Sequence, residues 1–194
     1  MTTACAGLAA PAAPAAHGGR LAVPVGPVRI RQVRPSDRAA LQAFYAGLSD
    51  ESRRNRFFVS STGIGDREAT SFTSPDHRSR EGFVALGGTR SGAGRRIVGH
   101  VCVETVETGV AEFAVAVADE LQGRGIGHQL LDVAIAWARA HGFRRLIATM
   151  LPANPAIHRL ATSLGLPVRF RTTSEDLTAA DLDLGLEVGP AIAA

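Results

Sequence analysis

The 194-residue chain contains no lysine; all 21 of its Lys+Arg residues are arginine. Arginine stays charged at any working pH, so Schiff-base or ammonium-nucleophile chemistry by this chain is excluded. Walker-type phosphate binding is excluded too, because that loop requires a lysine. Aromatic side chains are scarce, with one Trp and one Tyr, and the basic residues form no long run. A nucleic-acid platform of cationic and stacking residues is therefore not expected. The two cysteines, Cys5 and Cys102, lack metal-ligand spacing, and no metal site is expected. Cys5 falls in a tail, so a structural disulfide is not expected and a reducing cytoplasm fits. No apolar stretch approaches the roughly 20 residues that cross a bilayer, so no membrane partner is expected.

What is present is ordinary globular material: 45% hydrophobic, 20% charged, net charge +3. The length suits one domain, with a core burying roughly 70% of the unfolded surface. Residues 1–27 are Ala, Pro and Gly with almost no charge. They have neither the basic start nor the unbroken apolar centre of a signal peptide and read as a disordered tail. The domain is expected over 28–190. Val28 to Val33 reads as a strand, and Arg34-Pro35-Ser36-Asp37 as a helix start with Ser36 as cap. Leu41, Phe44, Tyr45 and Leu48 form one helical face. Ser49-Asp50-Glu51 starts another helix, with acids at its positive end, closing in Arg53-Arg54-Asn55-Arg56-Phe57-Phe58. A short helix over 66–73, strands over 82–86 and 97–106, and a Gly-rich hairpin loop over 87–94 follow. A strand over 112–118 leads into a long helix, about 125–141, with Ile126, Leu130, Ala134 and Trp137 on one face and Gly142 as its stop. A strand over 146–150, a helix opened by Asn154 with Ile157, Leu160, Ala161 and Leu164 on one face, and closing strands near 168–172 and 182–188 complete the order. The class is α/β, a mixed sheet covered by helices.

The most informative stretch is Glu112 to His128, where a strand feeds a Gly-rich turn that opens into the long helix. Helix starts leave backbone N–H groups unpaired, and the dipole adds positive potential there. Gly123, Gly125 and Gly127 remove side chains that would keep a ligand off that backbone. The result is a phosphate or pyrophosphate site. The bland alternative is a glycine-rich helix start with no ligand. The dinucleotide fingerprint G-x-G-x-x-G needs Gly or Ala at 128, where His128 stands.

The spacing Gln122-x-x-Gly125-x-Gly127 after a strand resembles the coenzyme A pyrophosphate loop of the GCN5-related N-acetyltransferase (GNAT) family. The element order over 28–173 resembles that family as well. The resemblance implies a single GNAT domain, with a mixed, mostly antiparallel sheet flanked by helices, and acetyl-CoA as co-substrate. Arg34-Pro35 with Leu48-Ser49-Asp50-Glu51-Ser52-Arg53-Arg54-Asn55-Arg56-Phe57-Phe58, and Asp76-His77 before a strand, resemble the bacterial protein lysine acetyltransferase branch. That implies transfer to lysines of partner proteins such as acyl-CoA synthetases, here by a stand-alone catalytic domain without the fused regulatory domain often found in that branch. Packing of Phe57 and Phe58 into the core and a substrate-facing Arg set are compatible readings of the Arg/Phe run.

A carboxylate can take the proton that the attacking amine must lose, directly or through a water. On the strand Glu112 shares a face with Ala114, Ala116 and Ala118, which leaves room for a substrate, and apolar neighbours would raise its pKa. Glu112 matches the catalytic Glu of the branch; the alternative is a surface acid at a strand end, or one paired with an Arg. The backbone of Val115, Ala116 and Val117 would pair with the pantetheine arm like an added strand, where the family's strand parts from its neighbour. An N–H near Val115 could stabilise the oxyanion. Gln122, Gly123, Arg124, Gly125, Ile126, Gly127 and His128 would hold the pyrophosphate. Asn154 matches the family's cofactor-arm Asn; the alternative is an N-cap before Pro155. Many members carry a Tyr seven residues later as general acid, where this chain has Ala161, so the thiolate leaves without a side-chain acid or takes a proton from water. Cys102, among Val101 and Val103, reads as core.

The leading expectation is a protein-lysine N-acetyltransferase, monomer or homodimer. Its arginines would suit an acidic rim around the target lysine. The alternatives are a small-molecule amine N-acetyltransferase and a non-catalytic acetyl-CoA sensor. Because the chain has no lysine, self-acetylation at lysine is excluded.

Overall fold

The computed structural model describes residues 28–87, 95–152, 154–174 and 176–185. The 1–27 tail, positions 88–94 of the expected hairpin loop, and the end of the expected domain at 186–190 lie outside the described residues. In chain order the elements are β1 (Arg29–Gln32), α1 (Arg38–Ala46), α2 (Asp50–Phe57), α3 (Asp66–Thr73), β2 (Arg80–Gly87), β3 (Arg96–Glu107), β4 (Val110–Val117), α4 (Ile126–Ala140), β5 (Arg145–Met150), α5 (Pro155–Ser163), β6 (Val168–Ser174) and β7 (Leu177–Asp183). The strands form one sheet in the order β1-β2-β3-β4-β5-β7-β6. Every pairing is antiparallel except β4 with β5. This is a single mixed α/β domain with a mostly antiparallel sheet.

Two helical layers cover the sheet. On one face α4 buries Ile126, Leu130, Leu131, Ala134, Ile135, Trp137 and Ala138, the stripe that its 3.6-residue period predicts. Helix α4 packs closely over Gly99 of β3, where an added Cβ would lie 2.9 Å from Leu130 Cδ1 and displace that side chain. On the other face α1 buries Leu41, Phe44 and Tyr45. Helix α2 is different: its buried residues are Ser52, Asn55 and Arg56, a polar stripe. Apolar periodicity could not have found its inward face.

Three local expectations change. Ser36 does not cap α1; a 3-10 turn, Pro35–Asp37, precedes it, and the organising side chain is Asp37. In the Arg/Phe run the fully buried residue is Arg56, at 1% exposure, while Phe57 and Phe58 are half-buried. The last strand spans Leu177–Asp183 rather than 182–188, because its register against β5 places Ala180 beside Ala148 and Leu182 beside Leu146.

Asp37 ties β1 to the helices. It accepts both Arg31 guanidinium nitrogens, at 2.6 and 2.7 Å, and the Arg34 N–H at 2.9 Å. The Arg31 hydrogen bonds hold its carboxyl below the usual carboxylate range, against the opposing effect of burial. A lowered folded pKa stabilises the fold fully above the ordinary carboxylate pKa, and that contribution is lost as pH falls through the folded value. Asp37→Ala is expected to cost about 2 kcal/mol in urea unfolding at neutral pH, with the difference from the parent shrinking in acid below the carboxylate range.

Candidate functional site

The site is set by where β4 and β5 stop pairing. Their parallel ladder covers Val110↔Arg145, Ala111↔Leu146 and Glu112↔Ile147 and goes no further. Beyond it β5 stays on β7 through Met150↔Thr178, while β4 stays on β3 through Val117↔Gly99. Sheet twist separates two strands held by different neighbours. The Ala118 N–H donates to Val98 O at 2.9 Å. By antiparallel alternation Ala114 and Ala116 direct their backbone groups at β3, and Val115 and Val117 direct theirs into the gap.

A cavity of about 430 Å³ opens beside this gap on the α4 face. It is walled by Val115, Val117, Leu121 and Gln122, by the turn residues Gly123, Gly125, Ile126, Gly127 and His128, and by Ala156, Arg159, Leu160 and Ser163 of α5. Gly123 and Gly125 have φ +72° and +79°, left-handed values that disfavour L side chains, and a Cβ on either would enter open space. The first helical hydrogen bond of α4 runs from the Gln129 N–H to Gly125 O, so the N–H groups of residues 126–128 have no intrahelical acceptor. The first turn of α4 carries no acid. Arg159 supplies a cation across the cavity. The arrangement suits a doubly charged anion attached to an extended apolar arm.

On the opposite face of the gap lies Glu112. This face is covered by α2 and α3: Arg56 Nη2 stands 3.2 Å from Cys102 Sγ, and its guanidinium lies over Phe57 and Phe72, 4.8 and 5.5 Å from the ring centroids. Glu112 is 5% exposed and accepts the Thr149 hydroxyl, from β5, at 2.7 Å. Burial raises its pKa above 4.5; the Thr149 hydrogen bonds and the Arg56 charge oppose the rise and Glu104 adds to it. In register, Arg80, Glu104, Glu112 and Ile147 form one row across four strands.

The Leu48–Phe58 motif does something its resemblance did not suggest. Asp119, in the turn after β4, accepts the Ser49 N–H and hydroxyl at 2.8 and 2.7 Å and the Ser52 hydroxyl at 2.6 Å. Both serines thus face the glycine turn. The Gln122 side chain donates to Val117 O at 3.1 Å and to Ser52 Oγ at 3.2 Å; it braces the loop and does not reach out to a ligand.

Of the residues expected from sequence, Val115, Val117, Gln122, Gly123, Gly125, Ile126, Gly127 and His128 meet at the cavity. Arg124 is exposed beside it, and Ala116 is buried and bonded toward β3. Asn154 is 1% exposed and makes no side-chain cap on α5, and the strand-end surface-acid alternative for Glu112 does not hold. Ala156, Arg159 and Ser163 were missed, although their spacing of three and four marks one helical face. Tyr45 is fully buried, with its hydroxyl 2.9 Å from His100 Nδ1, and lies off the cavity wall. Asp76 builds a turn: it accepts the N–H groups of Arg78, Ser79 and Arg80, each at 2.9 Å, and the next residue, His77, contacts Glu81 at 3.0 Å. Cys102 is buried, as expected of a core residue, and Cys5 lies outside the described residues. Among the described residues no His/Cys/Asp/Glu group could hold a metal, and no helix is long and apolar enough to cross a membrane.

Comparison with known proteins points the same way. The model of the Acetyltransferase (GNAT) family matches residues 48–166. The chain is 30% identical over 138 residues to the acetyltransferase PA5475 of Pseudomonas aeruginosa, covering 71% of this chain and 74% of that protein. It resembles the GNAT domain of S. lividans PAT with a TM-score of 0.72 and 29% identity, over 81% of this chain and 91% of that one. It shares its fold with yncA of Salmonella typhimurium, solved with its cofactor acetyl-CoA: TM-score 0.64, 20% identity, 86% and 99% covered.

The loop geometry generates a direct test. Inorganic pyrophosphate at millimolar concentration is expected to raise the Tm of the parent chain. In Gly125→Val, where a branched side chain meets φ +79° and fills the anion's approach, that rise is expected to vanish and the Tm itself to fall.

Proposed function

The chain belongs to the GNAT acetyltransferase family and depends on acetyl-CoA, and from that premise we propose that it acetylates lysine side chains of partner proteins, an acyl-CoA synthetase among them, with Glu112 as general base. The observation that carries the reading is a buried carboxylate at the last paired position before the β4–β5 gap. The cavity fits the co-substrate: the turn at 123–128 and Arg159 would hold the pyrophosphate, and Val115 and Val117 would pair with the pantetheine arm. Acetyl-CoA supplies the acetyl group as a thioester.

The chain's own residues do the rest. A lysine side chain arrives as an ammonium. Glu104, half-exposed and directly across from Glu112, favours a cation, and Arg80 beside it limits the negative charge. That balance suits one ammonium better than a polyamine. Glu112 then accepts the proton, directly or through a water. Burial makes it a stronger base than an exposed Glu, and the Thr149 hydroxyl fixes its orientation. The Val115 N–H, directed into the gap, is placed to stabilise negative charge developing on an acetyl oxygen. No tyrosine hydroxyl reaches the cavity among the described residues, and a coenzyme thiol with a pKa of about 8.5 can depart as thiolate.

The acceptor is tested by offering labelled acetyl-CoA with a lysine-containing acyl-CoA synthetase and, separately, a panel of small amines. Label on the protein with little thiol release from the amines is the expected result; the reverse would make the chain a small-molecule acetyltransferase. Glu112→Gln is expected to lower kcat by about 10²-fold or more while leaving acetyl-CoA binding unchanged. A sensor without turnover would lose nothing. Raising pH ionises Glu112, so kcat at saturating acceptor is expected to climb along an acid limb centred above 4.5. The variant should lack that limb.

A further inference from the structure

We propose that Asp119 is a positioning residue for the acetyl-CoA site: by capping α2 from a different segment of the chain, it holds the turn at 119–122 in the shape that presents the glycine loop to the pyrophosphate. The proposal rests on the cofactor site and is independent of which amine is acetylated.

The bonds run in one continuous chain. Asp119 Oδ1 accepts the hydroxyls of Ser49 and Ser52, at 2.7 and 2.6 Å, and Oδ2 accepts the Ser49 N–H at 2.8 Å. Ser49 Oγ in turn caps α2 by accepting the Ser52 N–H at 3.2 Å. Ser52 Oγ accepts from Gln122 Nε2 at 3.2 Å, and the same amide donates to Val117 O at 3.1 Å. The last residue of β4, the turn and the first turn of α2 are thereby locked together immediately before Gly123. Gly123 and Gly125 stand at positive φ with open space around them, so nothing on their own side chains holds the loop's shape. The bracing must come from outside the glycines, and Asp119 and Gln122 provide it.

Placing a carboxylate four residues before a phosphate loop is electrostatically unfavourable unless its charge is met elsewhere. Here it is met by the positive end of α2 and by three donors. Asp119 therefore braces the loop while its charge is directed at α2. Two opposite outcomes follow for its removal. If the charge mainly repels the anion, neutralising it tightens binding. If the bonds mainly shape the loop, neutralising it weakens binding.

The test is calorimetric titration of coenzyme A into the full chain and into Asp119→Asn, with Ser52→Ala as a second variant that leaves the carboxylate in place. The expected result is a Kd about tenfold higher for Asp119→Asn and several-fold higher for Ser52→Ala, a matching rise in KM for acetyl-CoA, and kcat at saturating acetyl-CoA within about threefold of the parent. Tighter binding in Asp119→Asn, or a lowered Tm with Kd unchanged in both variants, would overturn the proposal. If Asp119→Asn does not fold, an unchanged Kd in Ser52→Ala alone would overturn it. A parent chain that binds no coenzyme A would instead overturn the cofactor site itself, and the proposal with it.

Discussion

The parting of β4 from β5 is the constraint on which the rest of this molecule depends. A sheet normally consumes the backbone donors and acceptors of its inner strands. Here each strand is held by its other neighbour, β4 by β3 and β5 by β7, and their mutual ladder ends at Glu112↔Ile147. An inner strand is thereby left with backbone groups directed into the gap at Val115 and Val117, of which the Val117 carbonyl is met by the Gln122 amide. The parting lies between the α4 face, where the cavity lies, and the α1–α3 face, where Glu112 lies. The proposed binding of the co-substrate on one side and proton removal on the other would need no further architecture.

The electrostatics follow from that placement. Glu112 is buried because it sits at the closed end of the gap, under α2. An isolated buried carboxylate would be held neutral by desolvation. The Thr149 hydroxyl and the Arg56 charge temper the rise, and Glu104 across the strand restores part of it. Helix α2 reaches both ends of this system. Its first turn is bonded to the turn before the glycine loop, and its last turn contributes Arg56, whose charge acts on Glu112. A helix with an apolar inward face could do neither, which accounts for the buried Ser52, Asn55 and Arg56.

The serines of the Leu48–Phe58 motif serve a different part of the molecule from the one their resemblance pointed to. Read from sequence, they bore on the acceptor; in the fold Ser49 and Ser52 bond Asp119, on the cofactor side. Similarly, Asp76 and His77 build the turn into β2. The acceptor class therefore rests on Glu112 and its neighbours rather than on those motifs.

Much was legible along the chain. The strand, the glycine turn and the helix that make the anion site are contiguous, and their signals are local: positive-φ glycines, an uncapped helix start, an apolar stripe at 3.6-residue spacing. The α4 face and the buried residues of α1 followed for the same reason. What could not be read were pairings between distant segments. Thr149 meets Glu112 across 37 residues, and Asp119 meets Ser49 across 70. Arg159 faces the loop only because α5 packs beside α4. Each depends on strand register and on where a ladder stops, and those are settled by competition among neighbouring strands that no stretch of sequence contains on its own.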